Sequence, residues 1–203
     1  MLMTNSHKKG VNSNDRLEIK LCLRIVTVFL QKKKFRMKKL TLIRHAKSSW
    51  SDYGLRDHDR PLADRGLRDA PFMAQLMASR GWLPDALVSS TALRARTTAE
   101  FFAAALGWQP AVVQLDKRIY EASVPTLLDF IAHLPDQWNH IALFGHNPTF
   151  TQVANLFYQK KYIDNLPTCG IVELVAEDAG QWSQFTPDTA RVTAVHYPKQ
   201  YAH

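Results

Sequence analysis

The chain has 203 residues, of which 46% are hydrophobic and 22% are charged. This composition is typical of one globular domain with a sizeable core, and it argues against a disordered, fibrous or membrane-spanning protein. The formal net charge is +8 at pH 7. Residues 1–36 carry nine basic and two acidic side chains, which leaves 17 basic and 16 acidic ones in residues 37–203. Because the larger part is nearly neutral, nucleic acid is not expected as a partner.

The basic N-terminal segment predicts neither a membrane span nor a secretory signal. Its apolar stretch, residues 21–30, contains Arg24 and is about half as long as a bilayer requires. Lysines follow this stretch, whereas a signal peptide would show small residues at a cleavage site. We predict that residues 1–36 are a disordered or dispensable extension and that residues 37–203 form the functional domain. A basic arm that binds acidic partners or a membrane surface is the alternative.

Cysteine usage is consistent with a reducing compartment. The chain has two cysteines, Cys22 and Cys169, without Cys-x-x-Cys or metal-ligand spacing. We therefore expect a cytoplasmic protein with no disulfide and no metal site. The run Asp57-His58-Asp59 contains possible metal ligands, but adjacent loop residues rarely converge on one ion. We interpret this run as part of a solvated loop.

The hydrophobic pattern alternates strands and helices along the chain. Predicted strands are 40–43, 84–90, 111–115, 140–144 and 171–176, with a last strand at 181–185 before a Pro-bearing tail. The first two predicted helices are residues 62–80, in which Pro71 marks a kink or the first firm turn, and residues 91–107, which follow a hydroxyl cap. Ser123 and Pro125 begin a third helix, and Pro148 begins a fourth. This alternation predicts a three-layer α/β/α fold with a mostly parallel sheet, helices on both faces and antiparallel strands near an edge.

Several basic residues follow predicted strands or begin a predicted helix, so a parallel sheet would bring them together at the carboxyl ends of its strands. Arg44 and His45 follow the first strand directly, and His146 follows the fourth strand at a glycine turn. Arg94 lies in the first turn of a helix, where a cation costs up to about 1 kcal/mol, so a function would explain it. Together with the free N–H groups of the helix start, Arg94 predicts an anion site. Arg96 is the alternative candidate for this anion site, but it lies on a different face of the helix.

Four motifs, in this order along the chain, resemble those of the histidine phosphatase superfamily, which has the phosphoglycerate mutase-like fold. They are Arg44-His45, Arg-Pro-Leu-x-x-x-Gly at Arg60–Gly66, Ser-Ser-x-x-x-Arg-Ala at Ser89–Ala95, and Gly-His-Asn-Pro at Gly145–Pro148. The short chain and the run Arg-His-Ala-Lys-Ser are similar to the small phosphohistidine phosphatase branch, the SixA type. The resemblance extends from about Lys38 to Pro198.

This resemblance implies a cofactor-free phosphatase. His45 would attack phosphorus and form a phosphohistidine that water later hydrolyses. The guanidinium forks of Arg44 and Arg94 would bind the phosphoryl oxygens. His146 would donate to a phosphoryl oxygen, which we expect to require partial protonation of its ring.

Three further residues belong to the expected site. Ser48 and Asn147 are expected to add hydrogen bonds to the phosphoryl group. Glu121, after the third strand, has the position of the carboxylic acid that protonates the leaving oxygen in many members of the family. A solvated loop carboxylate is the alternative for Glu121. Phosphohistidine is a labile phosphoramidate that leaves without a strong acid, so the role of this carboxylate depends on the substrate.

We expect the substrate to be a protein that carries phosphohistidine. A small phosphoester, mutase chemistry on the same fold, and a non-catalytic phosphate- or nucleic-acid-binding protein are the alternatives. Mutases of the family carry inserted substrate-binding segments for which this chain has little room, so hydrolysis is favoured. The sequence does not indicate an oligomeric state.

Overall fold

A computed structural model describes residues 37–159 and 161–201 of the chain. The predicted extension, residues 1–36, therefore lies outside the described residues. In the part that the structure describes, no helix combines the length and the apolar character that crossing a membrane requires.

The described chain folds around a mixed sheet of six strands. They are β1 (Lys38–Arg44), β2 (Ala86–Ser89), β3 (Gln114–Leu115), β4 (His140–Gly145), β5 (Ile171–Ala176) and β6 (Ala190–His196). Their order across the sheet is β3-β2-β4-β1-β5-β6. The first four strands in this order are parallel, and β5 and β6 complete the sheet as antiparallel neighbours. The predicted α/β fold is confirmed.

Four helices cover the two faces of the sheet. They are α1 (Asp64–Ser79), α2 (Leu93–Ala105), α3 (Val124–Ala132) and α4 (Thr149–Leu156). On one face, side chains of α1 and α2 pack in one core with Ile43 of β1, and on the other face those of α3 and α4 pack in a second core with Leu42. Successive side chains of β1 thus enter opposite cores, as the pleat of a strand requires.

The helix starts agree with the sequence in one case and differ in another. The hydroxyl of Ser123 accepts the Thr126 N–H at the start of α3, as the Ser-x-Pro pattern predicts. The predicted hydroxyl cap of α2 is wrong, because the N-cap residue is Ala92 and its side chain makes no bond. Pro71 lies in the middle of α1, so its possible place in the first turn is also wrong.

The predicted last strand is wrong as well. Trp182–Gln184 form a short 3₁₀ turn, and the edge strand is β6, within the segment assigned to a tail. Trp182 is fully buried and donates from Nε1 to the carbonyl oxygen of Trp138 at 2.9 Å, which fixes the turn to the core. In β6, β-branched residues at Val192 and Val195 pack against that core.

The site lies at the carboxyl end of β1, the central strand of the sheet. The backbone N–H of Arg44 donates to the Gly170 carbonyl oxygen at 2.9 Å, just before β5. The N–H of His45 donates to the Gly145 carbonyl oxygen of β4 at 3.0 Å, and the His45 carbonyl oxygen accepts the Cys169 N–H at 3.1 Å. The backbone that carries both residues is therefore held from two sides.

Candidate active site

His45 lies at the centre of the candidate site, directly after β1. It is 8% exposed, and its Nδ1 donates to the carbonyl oxygen of Ala46 at 2.7 Å. This bond assigns the ring proton to Nδ1 and leaves the lone pair on Nε2, which accepts from Nε of Arg94 at 3.4 Å. Burial, with the charges of three nearby arginines, lowers the pKa of His45 to about 4. The ring is therefore neutral at pH 7, the form in which Nε2 is a nucleophile.

Arg44 and Arg94 are both anchored through Nη1 to a backbone carbonyl oxygen. Nη1 of Arg44 donates to the Leu166 carbonyl oxygen at 2.6 Å, and Nη1 of Arg94 donates to the Asp57 carbonyl oxygen at 2.5 Å. Arg44 keeps its Nε edge for another partner, whereas Arg94 uses Nη2 for Asp57 and Nε for His45. Nε of Arg44 is buried and has no partner within the described residues. Such an edge offers two parallel N–H groups, which match two oxygens of a phosphoryl group.

Asp57 connects Arg94 to a third arginine, Arg60. One carboxylate oxygen accepts from Nη1 of Arg60 at 2.7 Å, and the other accepts from Nη2 of Arg94 at 2.8 Å and from the Tyr120 hydroxyl at 3.1 Å. Burial alone would raise the pKa of Asp57, but the hydrogen bonds and the charge of Arg94 hold it below its usual value. Asp57 is therefore ionised at neutral pH.

Arg60 is a buried residue to which the sequence analysis gives no role, although it opens the second family motif. Its Nη2 donates to Oγ of Ser48 at 2.7 Å, and its Nε donates to the Ser49 carbonyl oxygen at 3.0 Å. Its guanidinium carbon lies 3.2 Å from the centroid of the Trp50 ring. The hydroxyl of Ser48, which was predicted to bind the phosphoryl group, therefore accepts a hydrogen bond from Arg60 and helps to hold its guanidinium.

His146 faces His45, with 5.1 Å between the ring centroids. Its Nε2 lies 2.8 Å from Oγ of Ser90, which also accepts the Ala92 N–H at 3.3 Å. Within the described residues, Nε2 is the partner available to the Ser90 hydroxyl proton, so we assign the proton of His146 to Nδ1. Nδ1 is buried and has no partner in this part of the chain.

The His146 ring is a neutral donor. Burial, the largest cause, together with the charge of Arg94, lowers its pKa to about 3. The neutral tautomer already carries an N–H on Nδ1, so donation does not require a second proton. The expected partial protonation of the ring beside a bound anion stays a prediction.

The charged residues around His45 carry a net charge of +2. Arg44, Arg60 and Arg94 contribute one each, Asp57 removes one, and the two neutral histidines add none. Burial lowers the pKa of Arg44, but a guanidinium stays charged in proteins. A phosphoryl group carries up to two negative charges near neutral pH, so its charge matches that of the site. Within residues 37–159 and 161–201, no three Asp, Glu, His or Cys side chains are grouped as a metal site.

A cavity of about 430 Å³ adjoins His146 and Arg94. Tyr120 lines it and packs edge-on against His146, with 5.7 Å between the ring centroids. Burial, with the bond to Asp57, raises the pKa of Tyr120 to about 12, so this hydroxyl stays a donor. Glu121 also lines the cavity and is exposed, and its φ of 54° lies in the left-handed region. The predicted acid is thus near the site, and its role stays a prediction.

The amide of Asn147 is held in one orientation. Its nitrogen donates to Oδ1 of Asn165 at 2.7 Å and to the Leu166 carbonyl oxygen at 3.0 Å. Both N–H groups are then used, and Oδ1 is buried without a partner among the described residues. An unpaired acceptor does not suit an anionic phosphoryl oxygen. The orientation therefore does not favour the predicted hydrogen bond from Asn147 to the phosphoryl group.

A close backbone contact explains why the second motif has a glycine at position 66. A Cβ at Gly66 would lie 2.2 Å from the backbone carbonyl oxygen of Lys47, two residues after His45. The same oxygen accepts the Ala63 N–H at 2.8 Å. The start of α1 therefore packs directly on the loop that carries His45, and a side chain at Gly66 would push the two apart.

Comparison with known proteins identifies the family of the chain. Residues 40–143 match the model of the histidine phosphatase superfamily, branch 1. The chain belongs to the histidine phosphatase superfamily. The matched segment includes Arg44, His45, Asp57 and Arg94 and ends just before His146.

Similar proteins span the described part of the chain. An uncharacterised protein of Mycobacterium tuberculosis is 31% identical over 166 residues, which are 77% of this chain and the whole of that protein. A crystal structure from Agrobacterium tumefaciens, provisionally assigned as the phosphohistidine phosphatase SixA, has 30% identity and a TM-score of 0.66, and the likeness covers 79% of this chain and 98% of that one. The protein histidine phosphatase SixA complexed with tungstate has a TM-score of 0.66, with 80% of this chain and 98% of that one covered. At 15% identity it supports the fold alone.

Proposed function

We propose that this protein is a phosphatase that transfers a phosphoryl group first to Nε2 of His45 and then to water. The observation that carries the proposal is the state of His45, which is buried, neutral and fixed by Ala46, with its Nε2 lone pair beside Nε of Arg94. A lone pair held in this way can attack phosphorus in line without first losing a proton.

The reaction has two steps. In the first, the lone pair of Nε2 forms a bond to phosphorus while the bond between phosphorus and the leaving atom breaks, and the leaving group keeps that electron pair. In the second, a water oxygen attacks the phosphohistidine, the P–N bond breaks, and its electrons return to Nε2 as inorganic phosphate forms. The proton of the water passes to phosphate or solvent. Phosphoryl transfer needs little from a protein beyond positioning and charge stabilisation.

The surrounding groups supply that stabilisation. The Nε edge of Arg44 would bind two non-bridging oxygens, Nε–H of Arg94 would pass from His45 to one of them as Nε2 attacks, and Nδ1–H of His146 would donate to one of them. Arg60 and Asp57 act behind them, because they orient Arg94 and set the charge of the site.

Phosphohistidine on a protein is the substrate that the acid–base groups of the site favour. Asp57, the carboxylate among the arginines, is ionised and so is not a proton donor. Glu121 is exposed, not held against the reacting centre. An alkyl phosphate would require a proton on its leaving oxygen, whereas the nitrogen of a phosphoramidate leaves without a strong acid. The likeness to structures assigned as phosphohistidine phosphatases supports the same substrate.

The first test is phosphate release from p-nitrophenyl phosphate and from a phosphohistidine protein. We expect both from the wild type, and we expect His45→Ala to lower kcat/KM by more than about 10³-fold. His133→Ala is the control, because His133 is an exposed histidine at the end of α3.

Activity that survives in His45→Ala would contradict the mechanism. A wild type that releases phosphate from neither substrate but binds phosphate would instead identify a non-catalytic binding protein.

A further inference from the structure

A second cavity, of about 490 Å³, lies beside the one next to His146. Asn147 and Pro148 line both cavities, so the two adjoin at the start of α4. Gln152, Tyr162 and Asp164 line the second cavity on its outer side. A substrate whose phosphoryl group meets His45 can therefore continue past Asn147 along this helix.

We propose that the second cavity holds the polypeptide next to the phosphorylated histidine and prefers neutral or basic residues there. This proposal rests on the proposed function, since it places the leaving group of the same reaction.

The groups that line this cavity suit a peptide backbone. Gln152, Tyr162 and Asp164 are exposed, and together they offer hydrogen-bond donors and acceptors. An extended peptide exposes both N–H and C=O groups, and each needs a partner when it binds. The mixed polar lining can provide these partners, whereas a purely apolar cavity would leave them unpaired.

Asn147, which lines both cavities, has a side-chain acceptor that the described residues leave unpaired. Oδ1 is a buried acceptor without a partner among the described residues, and the bonds to Asn165 and Leu166 hold the amide in this orientation. An unpaired buried acceptor favours a ligand that brings an N–H group, which both a histidine ring and a peptide backbone possess. It disfavours a second anionic group at this point.

The distribution of charge supports a neutral or basic peptide over an anionic metabolite. The arginines of the site lie at the phosphoryl end, and neither arginine nor lysine is among the described residues that line the second cavity. The charged residue among those described lining residues is Asp164, and Glu121 lies on the first cavity. A second phosphate on a small substrate would meet these carboxylates, whereas a lysine or arginine beside the phosphohistidine would be attracted to them.

The test compares two phosphohistidine peptides of equal length, one with lysines and one with glutamates beside the histidine. We expect the wild type to show the higher kcat/KM on the lysine peptide and Asp164→Lys to reverse the preference, each by about two- to fivefold, the scale of exposed ion pairs. Asp178→Lys is the matched control, because it makes the same charge change at an exposed residue of another cavity. p-Nitrophenyl phosphate, which has no peptide, should be hydrolysed equally by all three proteins.

Equal effects of Asp164→Lys and Asp178→Lys on the two peptides would overturn the cavity assignment and leave the proposed function intact. A preference of the wild type for the glutamate peptide would overturn the assignment as well. Failure of the wild type to hydrolyse p-nitrophenyl phosphate and both peptides would instead overturn the proposed function, and the cavity assignment with it.

Discussion

Asp57 holds Arg94 through its backbone and its side chain at once. Its carbonyl oxygen lies 2.5 Å from Nη1, and its Oδ2 lies 2.8 Å from Nη2. Both outer nitrogens of a buried guanidinium are thus bound by one loop residue, and Nε is left beside His45 at 3.4 Å. The charged loop that precedes α1 therefore orients a cation that belongs to α2.

The first prediction is that Asp57→Asn weakens both catalysis and the fold. The amide loses the negative charge and turns an N–H toward one of its two arginines. Losing one charged hydrogen bond should lower kcat/KM for p-nitrophenyl phosphate about tenfold and the free energy of unfolding by about 1–3 kcal/mol. Steady-state kinetics and urea unfolding at pH 7 measure these changes. Asp59→Asn is the control, since Asp59 pairs with the exposed Arg56 at the edge of the same loop.

The pH dependence of the stability of Asp57→Asn shows whether the loss comes from the missing charge or from altered packing. The folded pKa of Asp57 is held below its ordinary value of 3.8, so its ionised form stabilises the fold above that pH. This contribution is lost as the pH falls through the folded pKa. The stability difference between the wild type and Asp57→Asn should therefore shrink below about pH 4. A difference that stays constant to pH 3 would point to lost shape instead of lost charge.

The second prediction is that the protein loses stability between pH 6.5 and pH 4. Burial, the largest cause in each case, lowers the pKa of His45 and His140 to about 4 and that of His146 to about 3, from an ordinary value of 6.5. In this window the unfolded chain binds protons that the folded chain does not, so the free energy of unfolding falls as the pH falls. Each histidine should contribute about 1–2 kcal/mol between pH 7 and pH 5.

Urea unfolding at pH 7 and pH 5 measures this loss. The variant His140→Gln tests its origin, because His140 contacts Thr41 and lies outside the candidate site. It should remove roughly one third of the pH dependence and leave hydrolysis unchanged. A wild type equally stable at both pH values would show that these rings are protonated in the folded protein.

The third prediction concerns two glycines that are needed for different reasons. Gly66→Ala should destabilise the fold by at least about 2 kcal/mol and reduce activity, because its Cβ meets the fixed backbone of Lys47 near His45. Gly81→Ala meets no neighbouring atom but has a φ of 74°, so it should cost about 1–2 kcal/mol of strain. Thermal unfolding and p-nitrophenyl phosphate assays of both variants test this. Full activity in Gly66→Ala would mean that α1 can move away without disturbing His45.

The fourth prediction concerns Glu121 and the identity of the leaving group. If Glu121 moves to the leaving oxygen when substrate binds and acts as the general acid, Glu121→Gln should slow hydrolysis of an alkyl phosphate on the order of 10²-fold, the usual contribution of a positioned acid. Hydrolysis of phosphohistidine should change much less, because its leaving nitrogen does not depend on that proton. Parallel assays with the two substrates measure the contrast. Equal losses would indicate that Glu121 orders the cavity, and no loss on either would leave it without a role in the reaction.

Strand ends and helix starts that carry site residues were predictable from the sequence. Arg44, His45 and His146 follow apolar strands, and Arg94 follows a helix start, so local pattern alone places all four at one edge of the sheet. The periodicity of the chain likewise predicts the α/β fold, because alternating strands and helices have few ways to pack.

The roles of Asp57 and Arg60 were missed, and that of Asp57 was missed because it arises from contacts distant in sequence. Asp57 accepts from Arg94, 37 residues away, and from Tyr120, 63 residues away. No local pattern distinguishes such a carboxylate from one in a solvated loop. The orientation of Asn147 is set in the same way, by the carbonyl oxygen of Leu166.

Two backbone hydrogen bonds fix His45 to the sheet, whereas the proposed peptide-binding residues lie on a different part of the fold. The N–H of His45 is bound to the end of β4, and its carbonyl oxygen is bound just before β5, so the nucleophile moves only if the centre of the sheet moves. The residues proposed to contact the peptide lie on α4 and the segment after it. Under the proposed function, insertions or substitutions in that surface segment would change which phosphorylated protein is accepted without disturbing the reacting nitrogen. This separation allows one catalytic apparatus to serve different partners as the surface diverges.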